Sequence, residues 1–226
     1  MTLRLAVPAG ALAAPSLALL AAAGVDGTGP AAPLAAVPAD GEAGGSAVDV
    51  ALTTMAPGDV CTYLVAGAAD AGLVTKDLLL ERDTGLCELL DLRFGAALLL
   101  YAVAPEARTR LSRLGRLRVA TRHPGLARSF LAGRGLQADV IEVAGELERA
   151  VSDGLADAVV ALAPPSVGGA PAALGELAVE GVVAESSVRL VAGRAARVLR
   201  AAELAALVAR LRATLPQVPP ASKGET

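Results

Sequence analysis

Short apolar runs alternate with stretches of helical periodicity along most of this 226-residue chain, and that alternation constrains the fold more than any other feature. Residues 3–7, 48–52, 71–74, 89–92 and 98–103 read as strands, and 59–67 and 76–81 as helices. Further along, strands are expected at 117–121, 139–143 and 158–162 and helices at 125–134 and 145–152. Strand and helix in this order predict parallel sheets covered by helices, the α/β class. Phe94 and Gly95 separate two apolar runs at a point where a chain can pass from one unit to another. An extended run at 181–191 offers the way back. The last helix carries Leu204, Val208, Leu211 and Leu215 on one face, with Arg200, Glu203, Arg210 and Arg212 mostly off it and Pro216 as its stop. Together with the last strand it completes the first unit. The expectation is two α/β domains around a cleft, the first formed by residues 1–95 plus 180–226 and the second by 96–179. A cleft between such units is where a ligand binds. No internal repeat is evident. Residues 27–46 and 164–175, rich in Gly, Pro and Ala, read as loops, and 217–226 as a frayed tail.

Composition narrows the function. The chain is 54% apolar and 19% charged, so it is a core-former and not a disordered segment. Only four residues, Tyr63, Phe94, Tyr101 and Phe130, are aromatic, which disfavours stacking of unpaired bases. A net charge of -3 disfavours a general nucleic-acid binder. No uninterrupted run is long enough to cross a membrane. Cys61 and Cys87 lie too far apart for a metal motif, and His123 alone cannot complete a zinc site with them. Free thiols in a reducing cytosol are expected, with a disulfide the alternative. The N-terminal stretch through Ala21-Ala22-Ala23 has two readings. It passes for a secretory signal, or, interrupted as it is by Pro8, Gly10 and Pro15, it forms a first strand, a tight turn and a first helix.

Common catalytic motifs are missing: the chain has no GxGxxG after a strand, no Walker-A loop, no GxSxG elbow and no HExxH. A Ser-His-Asp arrangement would need His123, which its neighbour Pro124 and its strand-to-helix position assign to a surface or turn role. An ordered series of other segments stands out. It comprises Asp59-Val60 with Thr62-Tyr63, then Gly67-Ala68-Ala69-Asp70-Ala71-Gly72-Leu73, Lys76-Asp77, and Glu88-Leu89-Leu90-Asp91-Leu92 with Phe94-Gly95. Arg118-Val119-Ala120-Thr121-Arg122 with Pro124, Gly154-Leu155-Ala156-Asp157-Ala158 and Glu185-Ser186-Ser187 complete it. In order and spacing the series resembles the ATP phosphoribosyltransferase family, the enzymes that open histidine biosynthesis, and it covers most of residues 3–195.

The resemblance implies two α/β domains in the style of type II periplasmic binding proteins. It also implies a reaction in which N1 of the ATP adenine displaces magnesium pyrophosphate from C1 of phosphoribosyl pyrophosphate. Phosphates in such a site want backbone N–H groups, hydroxyls, cations and Mg2+. By resemblance the catalytic candidates are Glu148 and Asp157, the family's acidic positions before its phosphate loop. The substrate-binding candidates are Gly10, Asp70 and Thr75 in the first domain and Ser166, Val167, Gly168 and Gly169 in the loop of the second; no protein metal ligand is assigned. The chain stops after its last helix, as the family's short form does, so a cytoplasmic oligomer with a regulatory subunit related to histidyl-tRNA synthetase is the expected assembly.

Several expected charges are replaced. The family's Pro-Lys-Gly-Arg is Pro8-Ala9-Gly10-Ala11 here, two further arginines are Ala56 and Leu98, and Thr75 replaces a glycine. The loop aspartate is Ala161, and Pro165, which has no N–H to donate, opens a segment lacking both usual threonines. Three lost hydrogen bonds to charged groups amount to about 4 to 9 kcal/mol if independent, on the order of 10³- to 10⁶-fold. The expected function is therefore transfer of phosphoribose to ATP with relocated contacts. The alternatives are a catalytically eroded homologue that binds a ligand or a subunit, and a secreted solute-binding protein using the same two-lobed cleft. Asp70 has a plain reading as a cap or backbone acceptor, Arg122 and Arg128 as solvated surface, and Glu185-Ser186-Ser187 as a structural crossing.

Overall fold

The computed structural model describes residues 2–25, 32–34, 48–107, 116–165 and 174–215. They form two mixed sheets, each covered by helices. The first sheet contains β1 (Leu3–Pro8), β2 (Ala32–Leu34), β3 (Val48–Met55), β4 (Ala71–Thr75), β5 (Cys87–Asp91) and β11 (Val188–Ala192), in the spatial order β2-β3-β1-β4-β11-β5. Strands β3, β1 and β4 run parallel, while β11 runs antiparallel between β4 and β5. The second sheet is β10 (Ala178–Ser186), β6 (Ala97–Val103), β9 (Ala158–Ala163), β7 (Leu117–Thr121) and β8 (Ala138–Glu142), with β9, β7 and β8 parallel. Helices α1 (Ala13–Ala22), α2 (Pro57–Val65), α3 (Lys76–Arg82), α6 (Arg194–Leu199) and α7 (Ala201–Thr214) belong with the first sheet. Helices α4 (Pro124–Gly133) and α5 (Leu147–Ser152) cover the second.

Burial of both faces explains why the strands read as nearly unbroken apolar runs. In β1, Leu3, Leu5 and Val7 pack with Leu20 of α1 and Leu204, Leu207 and Leu211 of α7. Ala6, on the other face, meets Val60, Cys61 and Leu64 of α2. Gly72 permits that close approach, because a Cβ there would lie 2.7 Å from the Val60 side chain and 3.2 Å from the Ala6 carbonyl oxygen. In the second sheet, Leu99, Tyr101, Val119 and Val160 face Ala127 and Leu131 of α4, whereas Leu100, Ala120 and Val159 face Leu147 and Ala150 of α5.

Of the two readings of the N-terminus one is observed, and three other sequence expectations need adjustment. Residues 3–22 form β1, a 3-10 turn at Gly10–Leu12 and α1, the strand-turn-helix alternative to a signal. Inside the expected loop at 27–46, Ala32–Leu34 pairs antiparallel with β3; the rest of that loop lies outside the described residues. The run at 181–191 is divided at Ser187, and β10 pairs with β6 from Ala178 to Ser186, so the return crossing falls later than the boundary at residue 180. On α7, Leu207 takes the buried position expected of Val208, which is only partly buried. Cys61 and Cys87 are free thiols. Residues 166–173 and 216–226, with most of the second loop and the whole tail, also lie outside the described residues.

Both sheets are anchored by the same device, invisible as a repeat until seen in three dimensions. Arg4 in β1 donates from its backbone N (2.8 Å), Nε (3.2 Å) and Nη2 (2.9 Å) to the Asp70 carboxylate, and from Nη2 to the Gly67 carbonyl at 2.9 Å. Arg118 in β7 repeats this with Asp157 (3.0, 3.1 and 2.9 Å) and, through Nη1, with the Gly154 carbonyl at 2.8 Å. Gly67 and Gly154 adopt φ of +70° and +74°, which lets the chain leave a helix and turn its carbonyl to the guanidinium. Leu3-Arg4-Leu5-Ala6 thus corresponds to Leu117-Arg118-Val119-Ala120, and Gly67-Ala68-Ala69-Asp70-Ala71 to Gly154-Leu155-Ala156-Asp157-Ala158.

The lobes are joined by a second, buried set of contacts. Two crossing segments run side by side, with Leu92 N donating to Val188 O (2.9 Å), Val188 N to Phe94 O (3.0 Å) and the Ser187 hydroxyl to Asp91 Oδ1 (2.9 Å). Helix α3 then reaches across. Its Asp77 accepts hydrogen bonds from Ser186 Oγ at 2.5 Å and His123 Nε2 at 2.8 Å, and its Glu81 accepts the Gly125 and Leu126 N–H groups at 2.7 and 2.9 Å. Those N–H groups open α4, so a carboxylate of one lobe caps a helix of the other.

Two predictions concern these joints. Asp70→Ala is expected to lower stability by about 1 to 2 kcal/mol, since three donors lose their acceptor. Asp157→Ala should cost less, because its side chain is 18% exposed against 9% for Asp70. Urea midpoints at unchanged m-value measure both. The second prediction is set by pH. Burial by itself raises the Asp77 carboxyl, but hydrogen bonds from His123, Ser186 and Thr75 outweigh it and hold the group below the usual carboxylate range. Its stabilisation is complete above about pH 4 and disappears as pH falls through the lowered folded value. Asp77→Ala should cost about 3 kcal/mol or more at neutral pH. Urea melts from pH 7 to 2.5 should show Asp77→Asn losing less stability on acidification than the parent protein.

Candidate functional site

Parallel strands set the polarity of each lobe, because ligands of open α/β sheets bind beyond the carboxyl ends of the strands. Those ends converge at the crossing. Asp77 lies two residues past β4 and His123 two past β7, and their side chains touch. Lys76 N also donates to Ser187 O at 3.0 Å.

A cavity of about 170 Å³ opens at this end of the second sheet, lined by Arg122, His123, Glu146, Glu148 and the strand residues Val160 to Leu162. Each polar wall residue is placed by local structure. Arg122 and His123 follow β7, whose Thr121 is fully buried; its hydroxyl donates to Val160 O (2.8 Å) and accepts from His123 N (2.9 Å). Glu146 is the N-cap residue of α5 and Glu148 lies in that helix's first turn, where acidic side chains suit the helix dipole. Arg122 Nη2 donates to Gly145 O at 2.9 Å. Ala161, at the position where the resemblance expects an aspartate, is part of the wall. A larger cavity, about 710 Å³, lies at the other end of the first sheet beside Arg4, Asp70, Arg194 and Arg200. Its wall contains the Arg4–Asp70 anchor.

The sequence-derived candidates divide by strand polarity. Gly10 (φ +77°) follows β1 and Thr75 ends β4, both at the carboxyl edge of the first sheet. Glu148 lines the cavity of the second. Asp70 and Asp157 precede β4 and β9, at the opposite edge. One strand rise per residue puts Asp70 about 16 Å from Thr75 and Asp157 about 13 Å from Ala161. Their carboxylates pair with Arg4 and Arg118 and anchor the sheets, which for Asp70 is the backbone-acceptor reading; the catalytic role expected of Asp157 and the substrate contact expected of Asp70 would have to act at that opposite edge. Ser166, Val167, Gly168 and Gly169 lie outside the described residues.

Sequence reasoning missed His123 and its partners. The histidine does occupy the expected strand-to-helix turn, at the N-cap of α4, but it is only 5% exposed rather than at the surface, and Asp77 and Ser186 are similarly buried. Lys76-Asp77 and Glu185-Ser186-Ser187 did signal that something is built at these positions, and the crossing expected of Ser186-Ser187 is present. Nothing in the sequence links position 77 to position 123. Lys76 is drawn to Glu88 at 2.6 Å, beside the Arg189 pairs with Glu88 and Asp91 at 2.9 and 3.1 Å.

Comparison with known proteins agrees with this geometry. The family model described as "HisG: ATP phosphoribosyltransferase" matches residues 56–213. The ATP phosphoribosyltransferase of Rubrobacter xylanophilus is 35% identical over 216 residues, covering 92% of this chain and 94% of that protein. Its counterpart from Thermus thermophilus is 40% identical over 163 residues, covering 72% and 75%. Among solved structures, a chain of the ATP phosphoribosyl transferase (HisG:HisZ) complex from Thermotoga maritima superposes with a TM-score of 0.72 at 22% identity, covering 94% of this chain and 98% of that one. The periplasmic aliphatic sulphonate binding protein SsuA from Escherichia coli gives 0.53 at 14% identity, covering 94% and 72%. At these identities the two structures speak for the fold alone, two α/β domains of the type II periplasmic-binding-protein kind. The sequence matches speak for more: the chain belongs to the ATP phosphoribosyltransferase family.

Proposed function

We propose that this chain condenses ATP with phosphoribosyl pyrophosphate to phosphoribosyl-ATP, the opening reaction of histidine biosynthesis, in the cytoplasm. The observation that carries the reading is identity of 35% sustained over 92% of the chain, in a family defined by that reaction. The adenine N1 attacks C1 of phosphoribosyl pyrophosphate, the C1–O bond to pyrophosphate breaks, and its electron pair leaves on that oxygen. Among the described residues, those at the carboxyl edges have the chemistry to hold such a substrate. Glu148 faces the cavity as an acceptor for sugar hydroxyls, Arg122 is the cation of its wall, and Gly10 and Thr75 offer backbone and hydroxyl contacts from the first lobe. By the family resemblance, Ser166, Val167, Gly168 and Gly169 are proposed as further contacts for the 5-phosphate.

Magnesium fits this reading as a passenger of the substrate. No group of three or more His, Cys, Asp or Glu among the described residues can hold a metal ion. Magnesium needs only one or two carboxylates plus substrate phosphates, and Glu146 and Glu148 are the carboxylates at the cavity. Bound there, it would neutralise charge on the departing pyrophosphate. Likeness to a chain of a HisG:HisZ complex supports a hetero-oligomer with a regulatory subunit related to histidyl-tRNA synthetase. No helix among the described residues is long and apolar enough to cross a membrane.

A coupled assay with both substrates, magnesium and the regulatory partner tests the proposal. Product is expected at a rate limited by the missing cations. Glu148→Gln should lower kcat/KM by about tenfold or more, and Ala161→Asp should raise it by about tenfold by restoring a charged acceptor. Absence of product at saturating substrates would overturn the proposal in favour of a binding or subunit-interaction role.

A further inference from the structure

We propose that the cavity of about 710 Å³ at the amino edge of the first sheet is a second binding site, suited to a small monocarboxylate with a branched aliphatic body, and that Arg194 and Arg200 hold the carboxylate. Its wall joins the start of β1, the turn between α2 and β4, the loop before β5 and helix α6. The volume lies within the range of roughly 300 to 1,000 Å³ typical of whole-ligand pockets.

Arginine side chains are permanently charged donors, and the three in this wall are not equally committed. Arg4 is held by the Asp70 carboxylate and the Gly67 carbonyl. Arg194 spends only Nε, on the Gly85 carbonyl at 2.8 Å, and pairs with no carboxylate among the described residues. Gly85 fixes its position: with φ of +62° and no side chain it admits the guanidinium, and a Cβ there would lie 2.0 Å from Nη2. Gly85 is itself a wall residue, so the spare donors of Arg194 lie at the cavity. Arg200 has Glu203 at 3.5 Å, longer than an ordinary N–H···O bond. Its charge reaches Asp70 in the same wall. Burial by itself raises that carboxyl, but the hydrogen bonds and charge of Arg4, with a smaller contribution from Arg200, hold it below the usual carboxylate range. Neither free arginine is sealed from a ligand, since Arg194 is exposed and the Arg200 side chain is 21% exposed.

Charge selects the head group. Arg4 and Asp70 cancel as a pair, and Arg194 and Arg200 against Asp83 leave one net positive charge on the wall. A monocarboxylate matches both that charge and the planar fork of a guanidinium, whereas a phosphate dianion brings more charge than the wall offsets. Packing selects the body. Leu64, Leu86 and Ala196 line the cavity, and Val65 and Leu199 in the same wall are 59% and 78% exposed. Covering such aliphatic surface is favourable. No aromatic residue lines the cavity, so a nucleobase finds no stacking surface there.

Full-length protein and the branched acid isocaproate test the assignment, with isocaproamide as the uncharged body and inorganic phosphate as the anion without a body. Saturation-transfer NMR should show contact at the isocaproate methyl groups, and calorimetry should show saturable binding. Isocaproamide should bind about tenfold or more weakly, as should isocaproate to Arg194→Gln or Arg200→Gln. Leu199→Asp places a repelling charge at an exposed position and should abolish binding while leaving the urea midpoint close to that of the parent. ATP and phosphoribosyl pyrophosphate should leave isocaproate bound, because the site proposed for them is at the opposite edge of the sheet. Absence of saturable binding, equal binding of the amide, displacement by inorganic phosphate or by either substrate, or unchanged affinity in the arginine variants would each overturn the assignment. Absence of isocaproate binding together with a smaller assembly for Leu199→Asp would replace it with a face covered by another protein chain.

Discussion

The buried Asp77 carboxylate is the interaction on which the arrangement of the two lobes depends. An ionised group almost fully removed from water is tolerable only when its lone pairs are filled, and the donors that fill them come from separate parts of the chain. Ser186 Oγ is at the end of β10, His123 Nε2 is at the entrance to α4, and the carboxylate itself is in the first turn of α3. One turn further along α3, Glu81 holds the N-terminus of α4. Relative movement of the lobes must therefore take place around this joint or break it, and breaking it strands a buried charge. The cavity lined by Arg122, His123 and Glu148 lies beside a fixed point, not at the end of a loose hinge.

Much of the fold was legible because it follows from local patterns. The strand expected at 117–121 coincides with β7, and those at 71–74 and 158–162 fall one residue short of β4 and β9, since strands buried on both faces leave continuous apolar runs. The second lobe's edge strand β10 was read less well. Glu180 and Gly181 interrupt its apolar character, and its partner β6 lies far back in the chain. The site was legible only in part. Glu148 lines a cavity at the carboxyl edge, whereas Asp70 and Asp157 lie at the opposite edge, and a short acidic motif does not say at which end of a strand its acid will fall. His123 was missed for a different reason: its environment is created by Asp77 from the other lobe, and no local period encodes that contact.

The losses of charge at the site are consistent with where the chain keeps its charged pairs. Arg4–Asp70, Arg118–Asp157 and the Lys76–Glu88–Arg189–Asp91 group all tie parts of the scaffold together. Of the positions where the family's cations are replaced, Ala9 and Ala56 follow β1 and β3, Ala11 lies in the 3-10 turn after β1, and Leu98 is the second residue of β6. The first three lie outside the strands, and Leu98 pairs through its backbone alone.

The duplicated arginine anchor has an evolutionary consequence. Each lobe locks one parallel strand to the turn that opens its parallel neighbour, at the edge of the sheet facing away from the site. Changes that exchange a cation for alanine at the working edge leave that lock untouched, so selection for folding and selection for chemistry act on different ends of the same strands. A chain built this way can drift in what it binds, losing one set of contacts and acquiring another, without passing through sequences that fail to fold.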